Sequence, residues 1–491
     1  MLADAHRDGM ASDIPMTGED GLWLRLDRPN NVLGVVSVLW TATPVDPTAL
    51  RRLLAERIVD RYPVFRCRPV TRSAWLPGAA WEEDPDFDLG RHVLVESLPD
   101  AHPEAALQQR VGDLRSTCLD LEHPPWSVHL LQGHGRGSAV VVRTHHALAD
   151  GVRMTRLLFA LLDPLPGEGA AARPVGTHGM DDPFADLLAA PRHPLRALGA
   201  GVRVLTSGLN TVYDTLQMLG WTNPPTAWTG PPGTRKSAAW SDPVPLDLLA
   251  DLAHAEGATI NDVCLALLGG ALARAHRAEM RAATPSDLAW MVPVNLEPLE
   301  AGPPERLGNR FALVLVVLPL RGPFRARVAE VHARVERLRH SWEPVLTRGL
   351  QQLLGLAPNP LATTLSDYFA GKAVGVLTNV PGPRSAMALA GAEVTGIVGW
   401  APCSGDQVMT ACIVSYAGRV RIGFGTDDRR VGDARLMVAA FRDELHAVVE
   451  QYRTAAAPAG VPAPRPEPGV STAATPIAAV NRSDPRGSPR R

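Results

Sequence analysis

Lysine is almost missing from this chain of 491 residues. Of the 49 basic side chains only Lys236 and Lys372 are lysine, and the rest are arginine. With abundant Ala, Gly and Pro, this reads as a GC-rich coding bias rather than a functional arginine field. Charge of one sign is lacking too: 49 basic residues face 51 acidic ones, a net of −2. That balance argues against nucleic acid as a partner, because phosphate binding needs a concentrated positive surface. Five cysteines (Cys67, Cys118, Cys264, Cys403, Cys412) form no CxxC pair. A sparse, odd, scattered set fits a reducing cytoplasm better than a disulfide framework. The first ten residues, MLADAHRDGM, hold no apolar run, so no secretory signal is expected. Long hydrophobic runs are absent as well. The nearest, Phe311–Leu320 (FALVLVVLPL), falls short of the roughly 18–20 residues that span a bilayer and reads as a buried strand.

What remains is an ordinary globular composition, 45% hydrophobic and 20% charged. At about 100–200 residues per domain, the length predicts two or three domains. From Ala455 onward the chain carries eight prolines and almost no large apolar residue, which predicts a disordered tail over 455–491. Residues 163–191 and 222–237 are rich in Pro and Gly and read as connecting segments. Between them Leu195, Leu198, Val202, Leu205, Leu209, Val212, Leu216 and Leu219 recur at alternating spacings of three and four. This predicts an amphipathic helix over 192–221. Two readings fit its seam: a linker packed between two domains, or an interfacial helix touching lipid. Strands and helices interleave on both sides of it. Strand-like runs are Val32–Leu39, Ser138–Thr144, Ala289–Val294, Phe311–Leu318, Val374–Leu377, Met409–Ser415 and Arg419–Phe424. Helical spacing covers Thr48–Val59, Met154–Leu162, Leu246–Ala255 and Ile260–Ala275. The class is therefore α/β or α+β, with an N-terminal domain over 14–162, a linker over 163–237 and a C-terminal domain over 238–453.

The segment richest in chemistry is VVVRTHHALADG, residues 140–151. A β-branched strand runs into His145 and His146, then a turn, then an amphipathic helix. Adjacent strand residues face opposite sides, so one imidazole points into a cleft and the other into the scaffold. That geometry disfavours a metal site built from the pair. It suits a single imidazole that takes a proton from a hydroxyl or thiol near neutral pH. Asp150 is placed to brace the turn by a salt bridge or to cap the following helix.

HHALADG fits the HHxxxDG signature of CoA-dependent acyltransferases of the chloramphenicol acetyltransferase type. Within that group the chain resembles the wax ester synthase/diacylglycerol acyltransferase family. The resemblance is carried by MTGEDGLWL (16–24), Pro124-Pro125-Trp126, Asn261-Asp262, LGNRF (307–311) and TNVPGP (378–383). It covers roughly residues 14–450, with those motifs in the family's order. Thr17-Gly18 stands where the family has Ser-Pro, and Pro125 where it has Leu. The resemblance implies two chloramphenicol acetyltransferase-like domains joined by a helical linker, with the active-site channel between them. It implies that His146 is the general base, that His145 is the weaker catalytic candidate, and that Asp150 fixes the loop. Gly151 would let the chain turn tightly.

Asn261 and Asp262 carry two readings, a substrate-side motif or a capping box begun by Thr259. Asn309 and Arg310 read as channel contacts or as a turn leading into a strand. Asn379, Pro381 and Gly382 read as a turn or as a wall of the cleft. The polar stretch Gly399–Met409, with Cys403, Asp406 and Gln407, departs from the family's apolar pattern and bears on acceptor preference. The implied reaction moves an acyl group from acyl-CoA, a co-substrate, to a long-chain alcohol or diacylglycerol, with no metal or redox cofactor. The implied setting is the cytoplasm, with peripheral contact to the inner membrane or lipid bodies. Two alternatives are a condensation-like enzyme with another donor or acceptor, and an inactive lipid-binding protein.

Overall fold

The structure is a computed structural model. It describes residues 14–165 except 74, residues 210–295 except 212, 214, 218 and 281–283, and residues 302–456. The tail 457–491 and most of the linker, including the seam from Leu195 to Leu209, lie outside the described residues.

Two seven-stranded mixed sheets, each flanked by helices, carry the fold, as the interleaved pattern predicted. The N-terminal sheet runs in the order Val93–Ser97, Trp126–His134, Gly137–His145, Gly34–Thr41, Ala392–Trp400, Met387–Leu389, Leu162–Pro164. Its first pair is parallel and the others are antiparallel. The C-terminal sheet runs Val244–Pro245, Arg419–Asp427, Met409–Tyr416, Gly375–Pro381, Asp287–Asn295, Phe311–Pro319, with Lys236–Trp240 also pairing Arg419–Asp427. A small third sheet joins Ile14–Pro15, Ala79–Glu83 and Cys67–Thr71.

Two strands of the N-terminal sheet come from late in the sequence. Ala392–Trp400 pairs antiparallel with Gly34–Thr41, with Val398 opposite Val38 and Trp400 opposite Val36. Its hairpin turns at Ala390 and Gly391, both with positive φ, as a two-residue primed turn requires. A linear cut at residue 238 therefore separates strands that share one sheet. Both sheets lie in one unit, Met1–Val448; the final unit, Val449–Arg491, is described only over the last turns of the helix Ala434–Ala456.

The apolar run Phe311–Pro319 is a strand, as read, paired along its full length with Asp287–Asn295. Most of its side chains are buried, which explains a near-continuous apolar sequence rather than an alternating one. Thr48–Val59 is helical but not uniform: an α-helix Pro47–Leu54 passes into a wider π-helical turn, Ala55–Val59. Three helices without a prior sequence assignment, Phe324–Arg339, Glu343–Leu356 and Asn359–Ala370, fill the stretch between two strands of the C-terminal sheet. Among the described residues no single helix is long and apolar enough to cross a membrane. All five cysteines are free thiols.

Candidate active site

His145 is the last residue of the strand Gly137–His145, and Gly151 is the first of the helix Gly151–Ala160. The two histidines part as strand geometry demands. His145 donates its backbone N–H to the Pro125 carbonyl at 2.9 Å. Its Nδ1 accepts the Ala147 N–H at 3.0 Å, and its Nε2 lies 3.7 Å from the Asp27 carboxylate. The ring is buried in the scaffold, its Nε2 facing Asp27 without a hydrogen bond, and it does not line the cavity described below.

His146 donates its backbone N–H to Leu33 O at 2.9 Å, and its ring turns the other way. The ring lies against Trp23 (centroids 4.2 Å apart) and Phe311 (5.5 Å). Only 7% of the residue is exposed, and it faces a cavity of about 980 Å³. Nδ1 is buried without a hydrogen-bond partner, and the carbonyl of His146 itself is among the groups that favour the protonated ring. Nε2 is thus the nitrogen that reaches the cavity. Burial among apolar rings pushes the imidazole down to about 4; Asp150 opposes this, and His145 adds to it. The ring is neutral at physiological pH.

Asp150 holds the loop to the helix. It is the N-cap of Gly151–Ala160, with Oδ1 accepting the Arg153 N–H at 2.9 Å. Oδ2 accepts from Arg153 Nη1 at 2.5 Å and from the Arg310 N–H at 2.9 Å. The expected salt bridge and the expected cap are both present. The LGNR segment lies alongside the loop: Gly308 donates to Leu148 O at 3.0 Å, and Asp150 donates back to Gly308 O at 3.3 Å. Gly308 holds φ +95, a conformation that favours glycine. Asn309 Nδ2 donates to His146 O at 2.9 Å and to Asp20 Oδ1 at 2.8 Å. Asp20 belongs to the helix Gly18–Leu26, capped by Thr17, whose hydroxyl also donates to it at 2.6 Å. Burial raises the Asp20 carboxyl, while hydrogen bonds from Thr17 and Asn309 pull it back. Asn309 is therefore a support for the histidine backbone that also lines the cavity. Arg310 contributes its backbone N–H; its side chain is exposed and does not line the cavity.

The glycine expectation needs correcting. Gly151 does not have positive φ and makes no tight turn; a Cβ there would meet nothing within 4 Å. Gly151 lines the cavity at the first position of its helix. Gly382 likewise is not in the left-handed region. A Cβ there would lie 2.2 Å from Ser415 O, so glycine permits close approach to the neighbouring strand. Nor is NVPGP only a turn: Asn379 to Pro381 complete the strand Gly375–Pro381.

Asn261 and Asn379 meet across the cavity wall, with Asn379 Nδ2 donating to Asn261 Oδ1 at 2.9 Å. Asp262 forms the reciprocal capping box with Thr259, its carboxylate accepting Thr259 N–H at 3.0 Å and Thr259 Oγ1 accepting Asp262 N–H at 3.2 Å. Its Oδ2 is also 2.8 Å from His332 Nδ1. Pro381 and Gly382 line the cavity with Phe159 nearby. In the polar stretch, Gln407 lines the cavity and accepts the Ser404 N–H at 3.0 Å, whereas Asp406 is exposed. Burial raises the Cys403 thiol, which donates to Met409 O, so it is no nucleophile. Asp20, Trp23 and Phe311 lie within sequence motifs but carry no local signal of a part in the site. Their roles arise from long-range packing.

A neutral histidine on the wall of an apolar cavity, in an HHxxxDG loop on a two-sheet scaffold, defines an acyltransferase of the chloramphenicol acetyltransferase-like class. The wax ester synthase/diacylglycerol acyltransferase catalytic domain model matches residues 16–264, and the C-terminal domain model of the same family matches 307–448. A putative diacylglycerol O-acyltransferase of Mycobacterium tuberculosis is 30% identical over 380 residues, covering 73% of this chain and 78% of that one. Another putative diacylglycerol O-acyltransferase, from Mycobacterium bovis, is 29% identical and covers 82% of this chain and 84% of its own. The fold is similar to that of the wax ester synthase/diacylglycerol acyltransferase from Marinobacter aquaeolei VT8. That match has TM-score 0.63 and 21% identity, covering 89% of this chain and 99% of that one. A condensation domain of the calcium-dependent antibiotic synthetase shares the fold at TM-score 0.54 and 16% identity, covering 89% and 96%. The chain belongs to the wax ester synthase/diacylglycerol acyltransferase family and is an acyl-CoA-dependent acyltransferase.

Proposed function

We propose that the chain transfers a long-chain acyl group from acyl-CoA to the hydroxyl of a fatty alcohol or diacylglycerol, with His146 as general base. The observation that carries this reading is His146 on the wall of the cavity, its Nδ1 enclosed without a partner and its burial favouring the neutral imidazole. Nε2 takes the hydroxyl proton as the oxygen attacks the thioester carbonyl. The tetrahedral oxyanion collapses, the C–S bond breaks, and the imidazolium returns its proton to the CoA thiolate. The step balances with no metal or redox group, and acyl-CoA is a co-substrate.

Burial makes the imidazole a weak base, far less basic than an alkoxide. Proton transfer to Nε2 therefore accompanies C–O bond formation rather than preceding it. Burial keeps His146 unprotonated at all physiological pH values, so the base is always in its working form. Asn261 and Asn379, hydrogen-bonded to each other on the cavity wall, position the acceptor or the oxyanion.

The test is CoA release from palmitoyl-CoA with hexadecanol and dioleoylglycerol offered together, and the products identified by mass. Ester formed on either acceptor supports the reading. Acyl-CoA bound but never turned over, or turned over only with an amine acceptor, overturns it.

A further inference from the structure

The outer surface of the helix Glu343–Leu356 holds a feature that the reaction does not use. Along its inner face Pro344, Thr347, Leu350, Gln351 and Leu354 line the cavity that contains His146. Along its outer face Val345, Leu346, Leu353 and Leu356 are exposed, the last two at 67% and 69%. One helix thus presents apolar side chains both to the substrate cavity and to the outside. The next helix, Asn359–Ala370, adds Leu361, also exposed. Asn359 N–H donates to Trp75 O at 2.9 Å, which brings in the loop carrying Trp75 (71% exposed) and Leu76. Clustered exposed apolar side chains of this kind mark an interaction surface more often than bare solvent contact.

Charge identifies the occupant. From Pro344 to Ser366 the sequence contains no carboxylate, and its single charge, Arg348, turns inward to within 3.9 Å of Glu19. Between Pro344 and Ser366 the outer face is thus neutral and apolar, complementary to a lipid interface and offering no ion-pair specificity to a protein. A protein seated here would also seal the helix that forms the cavity wall. A lipid surface would instead place the apolar acceptor against that wall.

We infer that the outer face of Glu343–Leu356, with Leu361 and the Trp75–Leu76 loop, is the surface by which the enzyme sits on the lipid that supplies its acceptor. The acceptor then crosses past this helix into the cavity. This inference rests on the proposed use of an apolar acceptor, and it locates lipid contact on a different element from the linker seam.

The test uses the full chain and phosphatidylcholine vesicles containing dioleoylglycerol. The double variant Leu353→Glu/Leu356→Glu is compared with wild type for flotation with vesicles. The same pair is compared for KM on vesicle-held diacylglycerol, turnover of a water-soluble short-chain alcohol, and thermal midpoint. Wild type floats. The variant partitions at least tenfold less and has at least tenfold higher KM for the vesicle substrate. Its midpoint and its turnover of the soluble alcohol are unchanged. Equal flotation of the two proteins, or none by wild type, overturns the inference. So does a fall in thermal midpoint, which would mean that another part of this chain covers the face. A dimer of wild type that the variant dissociates overturns it in favour of a second copy. The serine pair Leu353→Ser/Leu356→Ser repeats the comparison if the charged pair does not fold. Flotation reads the surface even if neither acceptor is turned over, so failure here and failure of the proposed reaction are distinguishable.

Discussion

Two loop-to-helix junctions in this molecule contain a buried aspartate, and they do different things with it. At His145–Gly151, Asp150 caps its helix, pairs with Arg153 and receives the N–H of Arg310 from a segment more than 150 residues away. At Thr259–Asp262, Asp262 closes a local capping box and approaches one partially exposed histidine, His332. Its Oδ1 has no hydrogen-bond partner. The first junction is tied into three parts of the chain; the second is mostly a helix start. An aspartate beside a motif is therefore not evidence of a reaction. What separates the junctions is the long-range network that holds one neutral imidazole against the cavity.

The largest expected effect breaks the comparison at its centre. His146→Ala should lower acyl transfer by about 10²–10⁴-fold, the span of general acid–base contributions, with little change in thermal midpoint. Single-turnover CoA release measures it. Next, Asp150→Ala leaves Arg153 buried without its carboxylate and should cost about 3–5 kcal/mol of stability, along with activity. Asp262→Ala should cost about 1–2 kcal/mol, the worth of a cap, and leave turnover near wild type. Urea unfolding of the two variants side by side sharpens the contrast; equal losses would erase it.

Acid provides a further test. The unfolded His146 takes a proton near 6.5, whereas the folded one takes it near 4. Between those values the unfolded chain binds more protons, so stability falls as pH drops through the window, and the contribution levels off below about pH 4. From pH 6.5 to 5 the loss is about 2 kcal/mol, and it should vanish in His146→Ala. The smallest effect belongs to the second junction's contact with the cavity. Asn379→Ala removes one exposed hydrogen bond to Asn261 and should lower kcat/KM about fivefold, or about 1 kcal/mol.

Much of the first junction is legible in sequence because its rules are local. Strand alternation separates His145 from His146, and a Thr-x-x-Asp spacing announces the capping box at 259–262. The strands Phe311–Pro319 and Met409–Tyr416 follow from apolar runs. What escapes is long-range. Nothing local tells that Trp23 will lie on His146, or that Asp20 will hold Asn309. Nothing local assigns Ala392–Trp400 to the N-terminal sheet, because a strand's pattern shows which face is buried and not which edge it joins. The segment NVPGP reads as a turn or a cleft wall because proline and glycine punctuate loops, and its part in completing a strand carries no local signal. Pro381, at the strand's end, is tolerated there, and Gly382 answers to the Ser415 carbonyl rather than to φ.

The central claim is that His146 stands neutral, with Nε2 open to the cavity. Histidine ¹⁵N NMR of the folded enzyme tests it directly. The account predicts an unprotonated Nε2 and no imidazolium signal from His146 down to about pH 5. An imidazolium already forming near pH 6.5, or a proton resident on Nε2, would contradict it.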